Sequence, residues 1–339
     1  CRARAARVAD LTAPAPPSRR SLPPALTIAL IYLAARAVTF GFLILAAALS
    51  AEGTRFGAGA SVQDLVVGWD AQWYWFLAVN GYPADLPLTD AGAVAENQWA
   101  FMPIYAYLAA AIAPLVGGWW GVAAVLISLA AGYGATYVLY RMLRGRIGGS
   151  AAIWASAFFA AGPLAALFQV GYAEALFLLW LFLALWAVTA HRFVWVYPLV
   201  VLMGYTRPGV LAVALFIGLF GIWRFFSRRA EPLRVREVIH IVALGALATA
   251  VGFSWQIIAA IVTGDPGAYL ATELAWRRNW LPDDAGHFLP FDAFVRGAAF
   301  WGEVWGWGAA GGVILLSVIL AGAAAALLWA PQVRALGPE

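Results

Sequence analysis

The sequence predicts an all-α, polytopic integral membrane protein, and three observations carry that expectation. Hydrophobic residues make up 64% of the 339 and charged residues only 11%, against about 25% charged in a soluble domain. The apolar residues fall into runs long enough to cross a bilayer, which takes about 20 of them per helix. The charges between the runs are sorted by sign along the chain. With a mean hydropathy of +0.81, a soluble fold has too little polar surface to cover this chain, so lipid must solvate most of it.

Taken in order, residues 1–24, rich in Arg, Ala and Pro, predict a disordered cytoplasmic N-terminus. Spanning helices are expected over 25–50, 119–140, 150–168, 174–190, 208–224, 238–262 and 309–329. The first of these is longer than the roughly 7–15 apolar residues of a signal-peptide core, so it reads as a retained helix. Two shorter runs, 101–117 and 193–205, are ambiguous by length. Long polar loops cover 51–100 and 263–303, and 330–339 form a tail, leaving one membrane domain over 25–329.

Charge resolves the two short runs. With the N-terminus inside, 101–117 dips into the bilayer without crossing and 193–205 crosses, giving about eight spans. The inner side then holds 15 of the 21 basic residues, while the two long outer loops hold 12 of the 17 acids. Were 101–117 to cross, Arg141, Arg144 and Arg146 would move outside and the positive-inside pattern would break. The outer face gathers loop 51–100, the turn at 171–174, Arg207 and loop 263–303.

Several function classes drop out. Every basic residue is arginine, a sign of coding bias, and the net charge of +4 is no nucleic-acid footprint. Cys1 is the only cysteine, which removes intrachain disulfides and Cys-based metal sites. His191, His240 and His287 are too scattered for a metal set, and no cofactor is expected. His191 and His240 read as interface residues at inner helix ends, and His287 as a solvated loop residue. No phosphate-binding loop, dinucleotide fingerprint or Ser/His/Asp arrangement is present.

The chemistry concentrates in VVGWDAQWYWFLAVNGYP, residues 66–83. Trp69, Trp73 and Tyr74, expected to line a substrate site, surround a single acid, Asp70. Aromatics at this density suit an amphipathic helix in the headgroup layer. A carboxylate among indoles there is partly desolvated, its pKa raised, which suits a general base; the plainer reading is an anchor with a solvated aspartate. Glu174 opens an apolar helix, as a simple cap or as a hydrogen-bond anchor for a bound ligand. Tyr172 and Gln169 are expected in the same cavity. Arg36 lies about 17 Å into the first helix at 1.5 Å per residue, deep enough to require a partner in the bundle. Trp276, Trp280 and Trp301 to Trp307 read as a second interfacial belt, with stacking against a bound ligand as the lesser alternative.

These segments resemble a family. WDAQWYWFLAVNGY is similar to the WD-x-x-WY-x-x-I-A-x-x-GY element of PIG-V-type mannosyltransferases of the GT-C class. WAFMPIYAYL (99–108) resembles their A-F-F-P-L-Y-P element, AGPLAALFQVGYAEALFLLW (161–180) their P-x-x-x-F-x-x-x-Y-x-E-x-L-F element, and GYTRPGVL (204–211) stands where a T-R-S-N-G element is expected. Met102, Ala106, Pro208 and Gly209 depart from the pattern, and the resemblance fades beyond about residue 215.

The resemblance implies a GT-C-like helical bundle and an inverting transferase. Its donor is a polyprenyl-phosphate-linked sugar, mannose by resemblance alone, and its acceptor a glycolipid, a glycan or a protein outside the cell membrane. Asp70 would act as base, with no metal required. The leaving lipid phosphate needs a counter-charge, for which Arg207, Arg277 and Arg278 are the candidates. Two rivals stay open: a lipid or sugar transporter (or flippase), and an inactive scaffold of the same fold.

Overall fold

A computed structural model describes residues 22–278 and 291–331. The expected disorder of residues 1–21, His287, Trp280 and the tail from 332 onward lie outside the described residues. Within them the regular secondary structure is helical, apart from an isolated bridge between Leu88 and Val94.

Helix α1 (Pro24–Ala48) opens on a proline, whose fixed φ and missing N–H suit a first helical position. A short α2 (Val62–Val67) is capped by Ser61, whose hydroxyl accepts from the Asp64 amide while the Asp64 carboxylate accepts from Ser61 N. Next come α3 (Asp70–Asn80) and α4 (Pro103–Ile112), the latter tightening into a 3-10 turn over Ala113–Val116. The long α5 (Trp120–Ile147) is the hub of the bundle, packing against α1, α4, α6 (Gly149–Ala161) and α7 (Glu174–Thr189). It is 50% buried across its apolar window, more than any other long helix. Small residues at Ala123, Ala124, Ser128, Ala131, Gly132 and Ala135 let its neighbours approach. The second half contains α8 (Val196–Gly204), α9 (Val210–Ser227) and α10 (Val235–Thr263), which share their own apolar core. The last helices are α11 (Ala268–Arg278), α12 (Asp292–Val304) and α13 (Gly308–Trp329), with α12 and α13 packed on one another.

Five helices, α1, α5, α9, α10 and α13, are long and apolar enough to cross a bilayer, and their lipid-facing side chains are widely exposed. That is a membrane protein. The other expected spans differ from the reading by length. The run 150–168 is not one helix: α6 ends before Gly162, and a 3-10 segment over Pro163–Gln169 leaves it at 72°. Proline lacks the N–H and clashes with the preceding turn, so the helix stops there. The run 174–190 yields 16 helical residues, about 24 Å at 1.5 Å each, against a hydrocarbon core of about 30 Å. The run 193–205 is a 3-10 turn followed by a nine-residue helix. The ten-residue α4, even with its 3-10 extension to Val116, is likewise shorter than the five long apolar helices.

Two loop assignments are corrected. The single helix expected from 66 to 83 is two, hinged at Gly68–Trp69, and the polar stretch 263–303 holds α11 and α12. Apolar sequence was the cue for helices there, and these two bury a narrow face instead.

The bundle has two chemically distinct ends. Arg141 lies 5.5 Å from the Trp186 ring, His191 3.8 Å from Glu237, and Arg224 bonds Glu237, so the arginine-rich ends of α5, α7, α9 and α10 lie together. The start of α7, the 205–209 turn and the end of α10 lie at the other end, beside α3 and α11.

Candidate active site

The local chain path around Asp70 begins with strain. Trp69 has φ 46° and ψ −119°, a conformation that costs a non-glycine residue on the order of 1–3 kcal/mol. Its ring packs edge-on against Phe56 at 4.8 Å. The kink makes Asp70 the first residue of α3, at the open end of the stripe on which Tyr74 and Leu77 are buried.

Three other segments close on it. The Gly171 amide donates to Val66 O at 2.8 Å, and a Cβ at Gly171 would meet Ala71 Cβ at 3.1 Å. A side chain there would have to shift its neighbours by a few tenths of an ångström, so glycine suits this close approach of the 170–174 turn to the start of α3. That contact sets the Tyr172 hydroxyl against the Asp70 backbone and brings Glu174 near Asp70. On the far side, Ile104 N–H donates to Tyr205 O at 2.9 Å, which fastens α4 to the turn carrying Arg207. Tyr74 packs edge-on against Phe101 and Tyr105, both at 5.1 Å, and the Tyr105 hydroxyl bonds Ala124 O and Ser128 Oγ, both at 2.7 Å. Ser128 Oγ donates in turn to Tyr172 O at 3.0 Å. The four sequence elements at 66–83, 99–108, 161–180 and 204–211 are thus one contiguous assembly.

At its centre Arg207 Nη1 lies 2.9 Å from Glu174 Oε1 and 4.0 Å from Asp70 Oδ2. Burial pushes the Asp70 carboxyl up, and the Arg207 charge partly offsets the rise. Its side chain keeps 37% of its exposure, so solvent or a ligand reaches it. Among the described residues Glu174 Oε2 is buried without a hydrogen-bond partner, an acceptor left open beside Arg207. Burial also raises the Tyr172 hydroxyl, with the Asp70 charge reinforcing the shift. The Tyr74 hydroxyl, fully buried, is raised by burial and feels Arg207, Glu174 and Asp70.

Sequence reading missed one member, Glu273, and gave another, Trp276, chiefly a different place. Glu273 on α11 sits within the field of Arg207 and bonds Tyr269; burial raises it, and both partners oppose that. Trp276, expected in an interfacial belt, instead packs 5.2 Å from Trp73 and 5.7 Å from Phe101, its indole N–H buried and without a hydrogen-bond partner among the described residues. Trp73 itself stacks on Phe101 with an interplanar angle of 7°. The available signal was the run AYLATELAWRR, whose small residues Ala268, Thr272 and Ala275 form a buried helical stripe.

Other expected residues are engaged elsewhere. Arg277 bonds Asp292 at 2.9 Å and Arg278 bonds Val94 O, so Arg207 is the arginine beside Asp70. Gln169 lines a different groove with Arg36 and Tyr32. Arg36 donates to Ala160 O at 2.5 Å and to Ala165 O, one on each side of the helix break at Gly162–Pro163. Its partner is backbone. Trp301, Trp305 and Trp307 are exposed, as a belt requires.

An apolar cavity of about 510 Å³ runs from this cluster between Phe158, Phe159, Leu164, Phe168 and Phe177, with Glu174, Arg207 and Pro208 at one end. A long hydrocarbon with a charged head fits such a shape. Among the described residues no group of His, Cys, Asp and Glu is arranged to hold a metal ion. Comparison with known proteins finds no matching family model, no matching curated protein and no matching solved structure.

Proposed function

We propose that this chain is an inverting membrane glycosyltransferase that moves a sugar, mannose by resemblance, from a polyprenyl-phosphate carrier to an acceptor hydroxyl on the extracytoplasmic face. One observation carries the reading: four segments separated in sequence, each resembling an element of the PIG-V-type enzymes, assemble around Asp70, Glu174 and Arg207 at the mouth of an apolar cavity. The reading rests on those short elements and their assembly, since no family model matches.

In this reading about eight segments cross, including the bent α6 and the short α7 and α8, in a GT-C-like bundle. The arginine-rich end faces the cytosol. The isoprenoid chain lies along Phe158, Phe168 and Phe177, and its phosphate meets Arg207. Asp70, its carboxyl raised by burial against the lowering charge of Arg207, takes the proton of the acceptor hydroxyl. That oxygen attacks the anomeric carbon as the bond to the phosphate oxygen breaks, and the electron pair leaves with the lipid phosphate. Arg207 stabilises the negative charge, with Glu174 fixing its guanidinium. Trp73 and Trp276 supply ring faces and a free indole N–H for the sugar.

Transport is the second reading, favoured by the break at Gly162–Pro163, since transporters use interrupted helices. Membranes supplied with labelled polyprenyl-phosphate mannose separate the two. Transferase activity appears as labelled product that Asp70→Asn abolishes; labelled lipid that changes sides with no product, in wild type and variant alike, establishes transport and ends the glycosylation reading.

A further inference from the structure

At the arginine-rich end a second cavity, about 820 Å³, opens where the ends of α7, α8, α9 and α10 meet. Its wall is Arg224, 3% exposed, whose Nε lies 2.6 Å from Glu237 Oε1 and whose Nη1 lies 3.0 Å from Glu231 Oε2. Both glutamates of the lining, Glu231 and Glu237, turn to Arg224, and four arginines against these two acids leave the cavity a net charge of +2. Arg192, Arg234 and Arg236 line the same cavity, are exposed, and have no acidic partner among the described residues. Beside them Val194 and Trp195 stand 59% and 65% exposed on the rim.

We infer that this cavity binds the phosphate of an anionic phospholipid headgroup. Guanidinium forks match phosphate oxygens in pairs. Basic pockets between membrane helices take anionic headgroups, and an exposed indole at the same level suits the boundary between headgroup and acyl chain. Arginines scattered merely as orientation signals have no reason to line one concavity. The same end of the bundle supplies the contrast, because Arg141 and Arg144 lie over the Trp186 and Tyr140 rings at 5.5 and 6.0 Å. The inference is independent of the transferase reading, since it uses no residue of the Asp70 cluster.

The test is retention of lipid by the full chain in detergent, counted by native mass spectrometry as phosphatidylglycerol or phosphatidylcholine is added. Wild type should retain phosphatidylglycerol roughly tenfold better than phosphatidylcholine, and each of Arg192→Gln, Arg234→Gln and Arg236→Gln should weaken that retention about fivefold. The Arg141→Gln/Arg144→Gln double variant should leave it within about twofold. Melting temperature in phosphatidylcholine confirms that each variant is folded, and the single variants keep the test readable should a triple one fail. Equal retention of both lipids, or equal losses in the two sets of variants, overturns the site. Inorganic phosphate or glycerol phosphate that displaces the lipid at equal concentration makes this a soluble-anion pocket and overturns the lipid assignment.

Discussion

Burial raises the Asp70 carboxyl, and Arg207 at 4.0 Å only partly offsets it, so ionised Asp70 works against folding. The sign follows from linkage: a raised acid binds more protons folded than unfolded, so its contribution is favourable at low pH and is lost as pH rises through the raised pKa. Asp70→Asn should therefore lose transfer by about 100-fold or more, as expected for removal of a general base, and yet melt at or above the wild-type temperature at pH 7. The difference in melting temperature between the two should close as pH falls below the ordinary carboxylate range. A variant that melts well below wild type would make Asp70 structural. Arg36 behaves oppositely. It is 4% exposed and caps two carbonyls at the break, so Arg36→Leu should destabilise by about 1–3 kcal/mol for each carbonyl left bare. Lysine should rescue little, because a single ammonium cannot reproduce the fork. Thermal denaturation in detergent measures both.

At the scale of elements, close approach decides where the chemistry sits. The Cβ of a residue replacing Gly171 would press on Ala71 at 3.1 Å, so Gly171→Val should push the 170–174 turn from α3 and separate Glu174 and Tyr172 from Asp70. Transfer should fall at least tenfold while the helical circular dichroism stays unchanged. The α12–α13 hairpin depends on glycine more strictly. A Cβ at Gly312 would lie 1.8 Å from Ala298 O, and Gly312→Leu should part the two helices, read as new protease sensitivity near Trp305. Much of this architecture was legible beforehand. The five long apolar helices follow from hydropathy alone, and the Asp70, Glu174 and Arg207 elements from their residue types. The break at Gly162–Pro163 was written in the sequence too, but an apolar run continuing past it outweighed the proline. Glu273 and Trp276 were hidden because α11 is a short helix with a polar exposed face, and nothing local tells such a face which neighbour it will meet. Asn97 Nδ2 bonding Thr272 Oγ1 at 2.9 Å, across 175 residues, is the kind of contact that fixes α11.

For the whole molecule, the separation of charge between its ends is a statement about orientation. Arg141, Arg144, Arg192, Arg224, Arg234 and Arg236 belong to helix ends that meet one another, whereas Asp70, Glu174 and Glu273 gather at the other end around Arg207. Arginine-rich segments resist translocation, so the first end should face the cytosol and the Asp70 cluster the outside. The single native thiol makes this measurable: in a Cys1→Ser background, one cysteine at a time replaces Glu52 or Arg144. Glu52 lies in the exposed loop between α1 and α2, near the Arg55–Gln72 bond that ties this loop to α3. A membrane-impermeant maleimide added to intact cells should label the cysteine at 52 at once and the one at 144 only after permeabilisation. The reverse result would put the Asp70 cluster in the cytosol. The acceptor would then have to meet a lipid-linked donor on the inner leaflet, and the proposed chemistry would lose its compartment even with every distance around Arg207 unchanged.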